Sequence, residues 1–461
     1  MPEHPTTPRL WRIALAFVLA TVVVTAYAIR DAAAAPVRSM LGVVAFLVLA
    51  CLLSRNLRAI NWRTVGAGFA LQLILAVLIL RVPWVYSFFR SMSEVIQKFI
   101  DFTNEGAAFV FGPLLNDAAL EKGLALQNGG GFIFVVKALP AVIFVSSFFT
   151  VMYFLGVLQF VVKLLARVMV WVMGTSGAET LSATANVFMG QTEAPLIVRP
   201  YITRMTRSEL LTLMVGGMAT ISGGVMVAYV GMLNTIGMGE QAVAILATSV
   251  MAAPCGLYIA KILLPETEEP VTRGDVKVEI PQSHANVFDA AAEGASEGMK
   301  LVLNITAMLI AFIAFVALVN HLLAQLDATF GVQQALGLTR PLSLQLIFSW
   351  LFAPVALLMG VSSADVPQVG ELLGTKLVLN EFVAYLMLST QYGGQLEPRS
   401  VALTAFALTG FANFASIGIQ LGGIGAMAPE RRGELAQLGL LALTGGFLAT
   451  LINSAVAGML I

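Results

Sequence analysis

Two short polar stretches interrupt segments that are otherwise apolar enough for the interior of a membrane. The first is Gln191-Thr192-Glu193, within ANVFMGQTEAPLIVRPYI, and the second is Asn380-Glu381, within LVLNEFVAY. A carboxylate at bilayer depth costs about 2.5–3.5 kcal/mol even on the lenient insertion scale, so such an acid points to a function. Carboxylates, amides and hydroxyls together can bind a hydroxyl-rich solute, help to hold a cation, or act as an acid–base pair in hydrolysis.

The same residues also have a structural interpretation. A buried acid can pair with a buried cation, and Lys137 and Lys163 could serve, although both lie near predicted interfaces where a lysine reaches water. Neutral polar side chains near the acids suit either a bound solute or hydrogen bonds between helices; they are Asn186, Gln191, Thr192, Asn413 and Ser416.

The composition places the chain in a membrane. Of its 461 residues, 58% are hydrophobic and 11% are charged, whereas soluble domains carry about 25% charged residues. The net charge is zero, which gives no reason to expect a nucleic-acid partner. The sequence has no Gly-x-x-x-x-Gly-Lys-Ser/Thr loop, and its three histidines are scattered, so neither ATP-driven chemistry nor a zinc site is indicated.

Nine segments are long and apolar enough to be predicted as spans. They are residues 13–30, 36–54, 64–82, 132–154, 207–235, 240–264, 300–325, 400–425 and 436–460. The basic residues of the connecting loops predict a cytoplasmic N-terminus and a C-terminus outside the inner membrane. The first span also resembles a secretory signal, but we expect it to be retained because further spans follow at once.

Three other segments are too polar for simple spans. Residues 85–115 carry five charges and indicate amphipathic interfacial helices. Residues 176–204 and 366–396 are apolar at their flanks but polar at their centres, which favours hairpins that enter the membrane and return.

An internal repeat connects these features. MGTSGAE from Met173 reappears as MGVSSAD from Met359, about 186 residues later. Three further anchors follow in the same order: Thr192-Glu193 and Asn380-Glu381, then Arg207-Ser208 and Arg399-Ser400, then GMAT from Gly217 and GFAN from Gly410. The span at 132–154 and its mate at 300–325 should cross in opposite directions, so the halves are inverted. Inverted repeats with interrupted helices are typical of transporters.

The repeat also predicts where the site lies. Small and polar residues interrupt one span of each half, at Ala219–Gly224 and at Phe411–Ser416. Backbone without helical bonds survives at membrane depth only inside protein or against a water-filled cavity. The sequence therefore predicts an all-α polytopic membrane protein, an inverted-repeat transporter with two re-entrant hairpins, two broken helices and interfacial helices.

Several long motifs resemble the concentrative nucleoside transporter family. They are ETLSATANVFMGQTEAPLIVRPY, LVLNEFVAY and LTGFANFASIGIQLGG, with further similarity in NWRTVGAGFALQ, PETEEP and NVFDAAAEGASEGMKL. The resemblance covers roughly residues 38–461. It implies a homotrimer in which each protomer has a scaffold and a moving transport domain, and it implies import of nucleosides with sodium, or sometimes protons.

The resemblance also implies roles for individual residues. The base would be contacted by Gln191, Thr192 and Glu193, flanked by Leu301 and Phe411, with Val225 beside the pocket. The ribose would be bound by Glu381, Asn413 and Ser416. Sodium would be held by the Asn186 amide, the Thr220 hydroxyl and the main-chain oxygens of Met189 and Ile221. The oxygen ligands at 186 and 220 favour sodium over protons.

The expected organisation follows from repeat and resemblance together. It comprises residues 1–35, an extra N-terminal transmembrane helix; 36–131, scaffold helices and an interfacial helix; 132–264, the first repeat; 265–299, a cytoplasmic linker and amphipathic helix; 300–427, the second repeat; and 428–461, a C-terminal transmembrane helix. We expect a sodium-coupled nucleoside importer of elevator type. A proton-coupled transporter, a carrier of another polar solute such as a nucleobase, a membrane-embedded hydrolase and a channel are the alternatives.

Overall fold

The computed structural model describes residues 7–116, 133–137, 139–235, 242–273, 284–335, 337–338 and 340–461. These residues form α-helices and no named strand. The helices are α1 (Arg9–Ala28), α2 (Ala35–Leu52), α3 (Trp62–Arg81), α4 (Pro83–Phe111), α5 (Phe134–Lys137), α6 (Pro140–Phe154), α7 (Val157–Met173), α8 (Gly177–Ala185), α9 (Ala194–Ile197), α10 (Arg199–Ile202), α11 (Arg207–Ala219), α12 (Gly223–Thr235), α13 (Ala242–Leu263), α14 (Val287–Phe330), α15 (Val332–Ala335), α16 (Leu344–Met359), α17 (Val366–Val378), α18 (Glu381–Met387), α19 (Pro398–Leu408), α20 (Phe414–Met427) and α21 (Arg432–Leu460).

The all-α polytopic architecture is confirmed. Within the described residues, eight helical stretches are long and apolar enough to cross a membrane. The stretch from Arg207 to Leu233 and the helix α13 are almost entirely buried inside the protein, whereas α1 and α14 expose most of their surface. The core therefore lies around α11, α12 and α13, and α14 runs along its outside.

Two expectations about single elements are corrected. We expected a separate amphipathic helix before a span starting at residue 300, but α14 is one helix of 44 residues that starts at Val287, where the Asn286 side chain accepts a hydrogen bond from Asp289. Its Gly294 and Gly298 do not break it, because both press against α6. The region 85–115 likewise holds one helix of 29 residues, α4, followed by a short 3₁₀ turn.

Each half contains one broken helix, as predicted. In the first half α11 ends at Ala219, Thr220 takes an extended conformation, and α12 resumes at Gly223. In the second half α19 ends at Leu408 and α20 begins at Phe414. Asn413 starts α20 because its side-chain oxygen accepts a hydrogen bond from the Ser416 main-chain nitrogen at 2.9 Å.

Each hairpin consists of helical arms joined by an unwound tip. Ser176 begins α8 with a capping box, in which its hydroxyl and the Glu179 carboxylate satisfy each other's main-chain nitrogens. The second hairpin pairs α17 with α18, and Asn380 caps α18 by accepting a hydrogen bond from Val383 at 2.8 Å. The tips therefore present the polar triplet Gln191–Glu193 and the pair Asn380–Glu381.

The helix α21 shows that the two halves are inverted. Arg207 and Arg399 are equivalent anchors of the repeat. Arg207 forms an ion pair with Glu434 at 3.2 Å, at the start of α21, while Arg399 donates to the Gly458 carbonyl at 2.6 Å, near its end. A helix of 29 residues is about 43 Å long, so the equivalent anchors lie at opposite ends of a helix long enough to cross a membrane.

Candidate functional site

Glu381 lies at the centre of a buried hydrogen-bond network. It is the first residue of α18 and is 5% exposed. Its carboxylate accepts hydrogen bonds from the Tyr229 hydroxyl at 2.9 Å and from Asn413 Nδ2 at 2.8 Å. The carboxylate and Asn413 both sit at helix N-termini, where the partial positive charge of the helix favours an anion. Glu381 can therefore act as a strong acceptor for hydroxyl groups.

The two hairpin tips are joined through the start of α20. Gln191 Nε2 donates to Ser416 Oγ at 3.1 Å, and Ser416 is connected through Asn413 to Glu381. The Gln191 side-chain oxygen is buried and has no hydrogen-bond partner among the described residues. An orphaned amide oxygen is suited to receive a donor from a ligand. Four residues predicted for the site are thus brought together by the fold.

Glu193 has different surroundings from Glu381. Its side chain is exposed, and its carboxylate accepts a hydrogen bond from the Thr192 hydroxyl at 3.3 Å. The carboxylate folds back over Gly190, where an added Cβ would lie only 2.2 Å from Oε2. Glu193 is consequently open to an approaching molecule, whereas Glu381 is already held by the protein.

The apolar residues predicted for the site come from three elements. Val225 on α12 is buried, while Leu301 on α14 and Phe411 in the second helix break are partly buried and pack against the main core. Apolar and aromatic side chains around a few polar groups are typical of a small-molecule site.

The residues predicted to hold sodium lie where the first hairpin meets the first helix break. Asn186 is fully buried; its Nδ2 donates to the Ser182 carbonyl at 3.0 Å, and its Oδ1 has no hydrogen-bond partner among the described residues. The Thr220 hydroxyl donates to the Gly216 carbonyl at 2.8 Å, which leaves its lone pairs for a ligand. Ile221 is buried and Met189 is partly buried. A hard cation prefers such oxygen ligands.

The two segments that carry the predicted sodium ligands are tied together. The Gly223 main-chain nitrogen donates to the Phe188 carbonyl at 3.0 Å, which fastens the hairpin tip to the helix break. An added Cβ on Gly216 would lie 3.3 Å from Asn186 Nδ2, so the end of α11 touches the end of α8. The carbonyl ends of both helices therefore face the same region, where a cation is favoured.

Comparison with known proteins decides the family. Models described as Na+ dependent nucleoside transporter N-terminus and C-terminus match residues 41–114 and 244–458, and a nucleoside recognition model matches residues 135–236. An uncharacterized transporter of Haemophilus influenzae is 42% identical over 432 residues, 92% of this chain and 97% of that protein. The chain belongs to the Na+ dependent nucleoside transporter family.

Other members of the family agree in sequence and in structure. Sodium/nucleoside cotransporter 1 of Mus musculus is 41% identical over 438 residues, 92% of this chain, and the chain spans 63% of that protein's length. The solved structure of CNTnw in an inward-facing substrate-bound state matches with a TM-score of 0.82 at 38% identity, covering 92% of this chain and 98% of that one. These matches confirm the predicted family, the inverted-repeat transporter fold and the expectation of a transporter in place of an enzyme. The matching family models are described as Na+ dependent.

Sequence reasoning missed two residues near Glu381, one from each half of the chain. Tyr229, which donates to Glu381, lies 152 positions away in an apolar helix. Lys376 is fully buried in the last turn of α17, and its Nζ donates to the Ala407 carbonyl at 2.6 Å. It was not weighed as a partner of the acids, although it lies only five residues before Glu381 in GTKLVLNE.

A buried ion cluster at the other end of the first hairpin was also missed. Lys261 Nζ lies 2.8 Å from Glu179 Oε2 and 3.1 Å from Glu266 Oε2. Glu209, which caps α11, accepts a hydrogen bond from the Ser176 hydroxyl at 2.5 Å. The cluster fixes the bases of the hairpin and the broken helix to the end of α13, and its partners lie too far apart in sequence for a spacing pattern to connect them.

Proposed function

We propose that this protein is a secondary active importer of nucleosides, driven by an inward sodium gradient. The observation that supports this most is the buried path from Gln191 through Ser416 and Asn413 to Glu381. It joins both hairpin tips with groups that suit a solute rich in hydroxyl and amide groups.

The proposed orientation follows the difference between the two acids. Glu381, Asn413 and Ser416 bind the ribose, because a carboxylate already held by two donors is a strong acceptor for hydroxyls. The base lies against the first hairpin, with Leu301 and Phe411 at its faces and Val225 beside it. Its polar edge meets these three residues: Gln191, Thr192 and Glu193.

The proposed sodium ligands are Asn186 Oδ1, the Thr220 hydroxyl and the carbonyl oxygens of Met189 and Ile221. The orphaned Asn186 oxygen supports this, since a buried acceptor without a donor is stabilised by a cation. Sodium at this point orders the tip of the first hairpin, and the nucleoside then binds to an already formed surface. One sodium ion per cycle at about 100 mV supports roughly 50-fold accumulation before the ion gradient is counted.

We propose an elevator mechanism in a homotrimer of the inner membrane, with a cytoplasmic N-terminus. Structures of CNTnw variants are described as outward-facing and as three intermediate states, and the intermediate 2 state matches this chain with a TM-score of 0.84. In the proposed cycle the hairpins and broken helices move together and carry the site from one side to the other.

Uptake into liposomes tests the function. Labelled uridine and adenosine are offered with an inward sodium gradient, with a proton gradient, and with neither. Accumulation only under the sodium gradient is the expected result. Uptake driven by protons alone would assign a proton-coupled carrier, and competition by free nucleobases stronger than by nucleosides would assign a nucleobase carrier. No uptake under any gradient would overturn the proposal.

A further inference from the structure

Lys376 places a buried ammonium group between the second hairpin, α19 and α21. It lies in the last turn of α17 and is fully buried. Its Nζ donates to the Ala407 carbonyl at 2.6 Å and to Thr450 Oγ1 at 2.9 Å, and it lies 5.5 Å from the centre of the Phe447 ring. A lysine without exposure needs compensation for its lost hydration, and these contacts supply only part of it.

Helix ends favour charge on both Lys376 and Glu381. The ammonium sits at the carbonyl end of α17 and meets Ala407 in the last turn of α19, so two negative helix ends converge on it. Glu381 sits at the first residue of α18 and is bonded to Asn413 at the start of α20, so two positive helix ends converge on it. The end of α19 also links the surroundings of the two groups, because Tyr385 stacks on Tyr229, the donor to Glu381, and its hydroxyl contacts Ala405 and Thr409 on either side of Ala407.

The inverted repeat gives this ammonium a counterpart. In the first half, the carbonyl ends of α8 and α11 meet beside Asn186 and Thr220, at the proposed sodium site. In the second half, the carbonyl ends of the corresponding helices, α17 and α19, meet at the Lys376 ammonium. Equivalent pairs of helix ends thus face the proposed sodium ion in the first half and the ammonium group of a lysine side chain in the second half.

We propose that Lys376 is a built-in cation of the second half, which keeps Glu381 ionised so that it can accept hydrogen bonds from the transported solute. Lys376 is a positioning residue, since it acts through Glu381. The part of the proposal that concerns the solute rests on the proposed function, whereas the pairing of the two charges does not.

The pairing is tested with Lys376→Met, Glu381→Gln and the double variant, purified without nucleoside. Removing one partner of a buried charge pair leaves the other uncompensated, whereas removing both is tolerated. We expect Lys376→Met to lower the melting temperature by roughly 5 °C or more, and Glu381→Gln to restore at least half of the loss. If Lys376→Met lowers the melting temperature by the same amount in the wild type and in Glu381→Gln, the pairing is overturned. If Lys376→Met yields no folded protein, recovery of folded double variant supports it and failure of the double variant overturns it.

Nucleoside affinity at saturating sodium tests the positioning role. Lys376→Met should weaken binding at least tenfold, and it should weaken binding much less when Glu381 is already Gln. Thr450→Val removes one hydrogen-bond partner of the lysine but no charge, and should change affinity by less than about threefold. A loss with Thr450→Val as large as with Lys376→Met would overturn the role of the charge. If the wild-type protein binds no nucleoside, the proposed function fails while the melting result still decides the pairing.

Discussion

The main-chain nitrogen of Phe411 donates a hydrogen bond to the carbonyl oxygen of Thr220 at 3.1 Å. The two helix breaks, one from each half, are therefore joined directly. Thr220 belongs to the proposed sodium site and Phe411 to the proposed nucleoside site. A sodium ion that orders the first helix break can, through this contact, favour the conformation of the second break that binds nucleoside. Such coupling is reciprocal, so bound nucleoside must change the affinity for sodium by the same factor.

Replacing Thr220 should separate sodium binding from nucleoside binding. Thr220→Val keeps the shape but removes the hydroxyl, so we expect at least a tenfold higher sodium concentration for half-maximal nucleoside binding. Thr220→Ser keeps the hydroxyl and should stay within about threefold of the wild type. Sodium titrations of equilibrium nucleoside binding measure both. Equal behaviour of the two variants would remove the hydroxyl from the sodium site.

Glu381→Gln should weaken nucleoside binding by about 10–100-fold, because a neutral amide replaces a carboxylate, and hydrogen bonds to a charged acceptor are stronger than those to a neutral one. The side chain keeps its size, so the oligomer should survive size-exclusion chromatography. Glu434→Gln is the matched control, since Glu434 lies at the far start of α21 beside Arg207 and Arg431. Unchanged affinity in Glu381→Gln would contradict the ribose assignment.

Tyr229→Phe isolates the hydroxyl that holds Glu381. The ring stacks on Tyr385 with centroids 4.3 Å apart, and phenylalanine preserves that packing. Loss of the 2.9 Å bond to Glu381 should weaken nucleoside binding about tenfold, since a hydrogen bond to a charged group contributes about 1.5–3 kcal/mol. Tyr258→Phe removes a hydroxyl bonded to Gln72 at 2.7 Å and serves as control. Calorimetric titration should find the nucleoside affinity of Tyr258→Phe unchanged. If Tyr258→Phe loses as much affinity as Tyr229→Phe, the loss reflects a general effect on the fold and not the bond to Glu381.

Gly410→Ala should destabilise the contact between the two helix breaks. Gly410 has φ 138°, and an added Cβ would lie 3.0 Å from the carbonyl oxygens of Met218 and Ala219. We expect a loss of at least about 2 kcal/mol, seen as a lower melting temperature and reduced uptake. Gly418→Ala on α20 meets nothing within 4 Å and should be neutral or slightly stabilising. Equal stability of the two variants would show that the breaks do not need this close approach.

Lys261→Met should destabilise the base of the first hairpin without altering the site itself. The lysine pairs with the buried Glu179 and the partly exposed Glu266, and removing it leaves the buried Glu179 carboxylate uncompensated, at a cost of about 3–5 kcal/mol. Arg273→Met removes an exposed partner of Glu269 and should cost less than about 1 kcal/mol. Thermal melting compares them. Nucleoside affinity at saturating sodium should stay within about threefold in both, and a selective loss in Lys261→Met would connect the cluster to binding.

The sequence by itself determined the membrane architecture, the inverted repeat, both hairpins and both helix breaks. Each is visible in short stretches of the chain, and the repeat is the recurrence of such stretches. An acid or amide within an apolar run is costly wherever the run folds, and unwound backbone needs small and polar residues at the point of the break. For that reason Gln191, Glu193, Glu381 and Asn413 could be selected before any coordinates.

Only the tertiary structure decided which of these groups contact one another. Glu381 receives its donors from residues 152 and 32 positions away, and the helix breaks meet across more than 180 residues. Apolar helices have similar patterns, so a tyrosine or lysine on them carries no sign of the partner it will meet. Packing brings Tyr229 and Lys376 to the second hairpin, because a buried hydroxyl or ammonium is stable only where the fold supplies its acceptors.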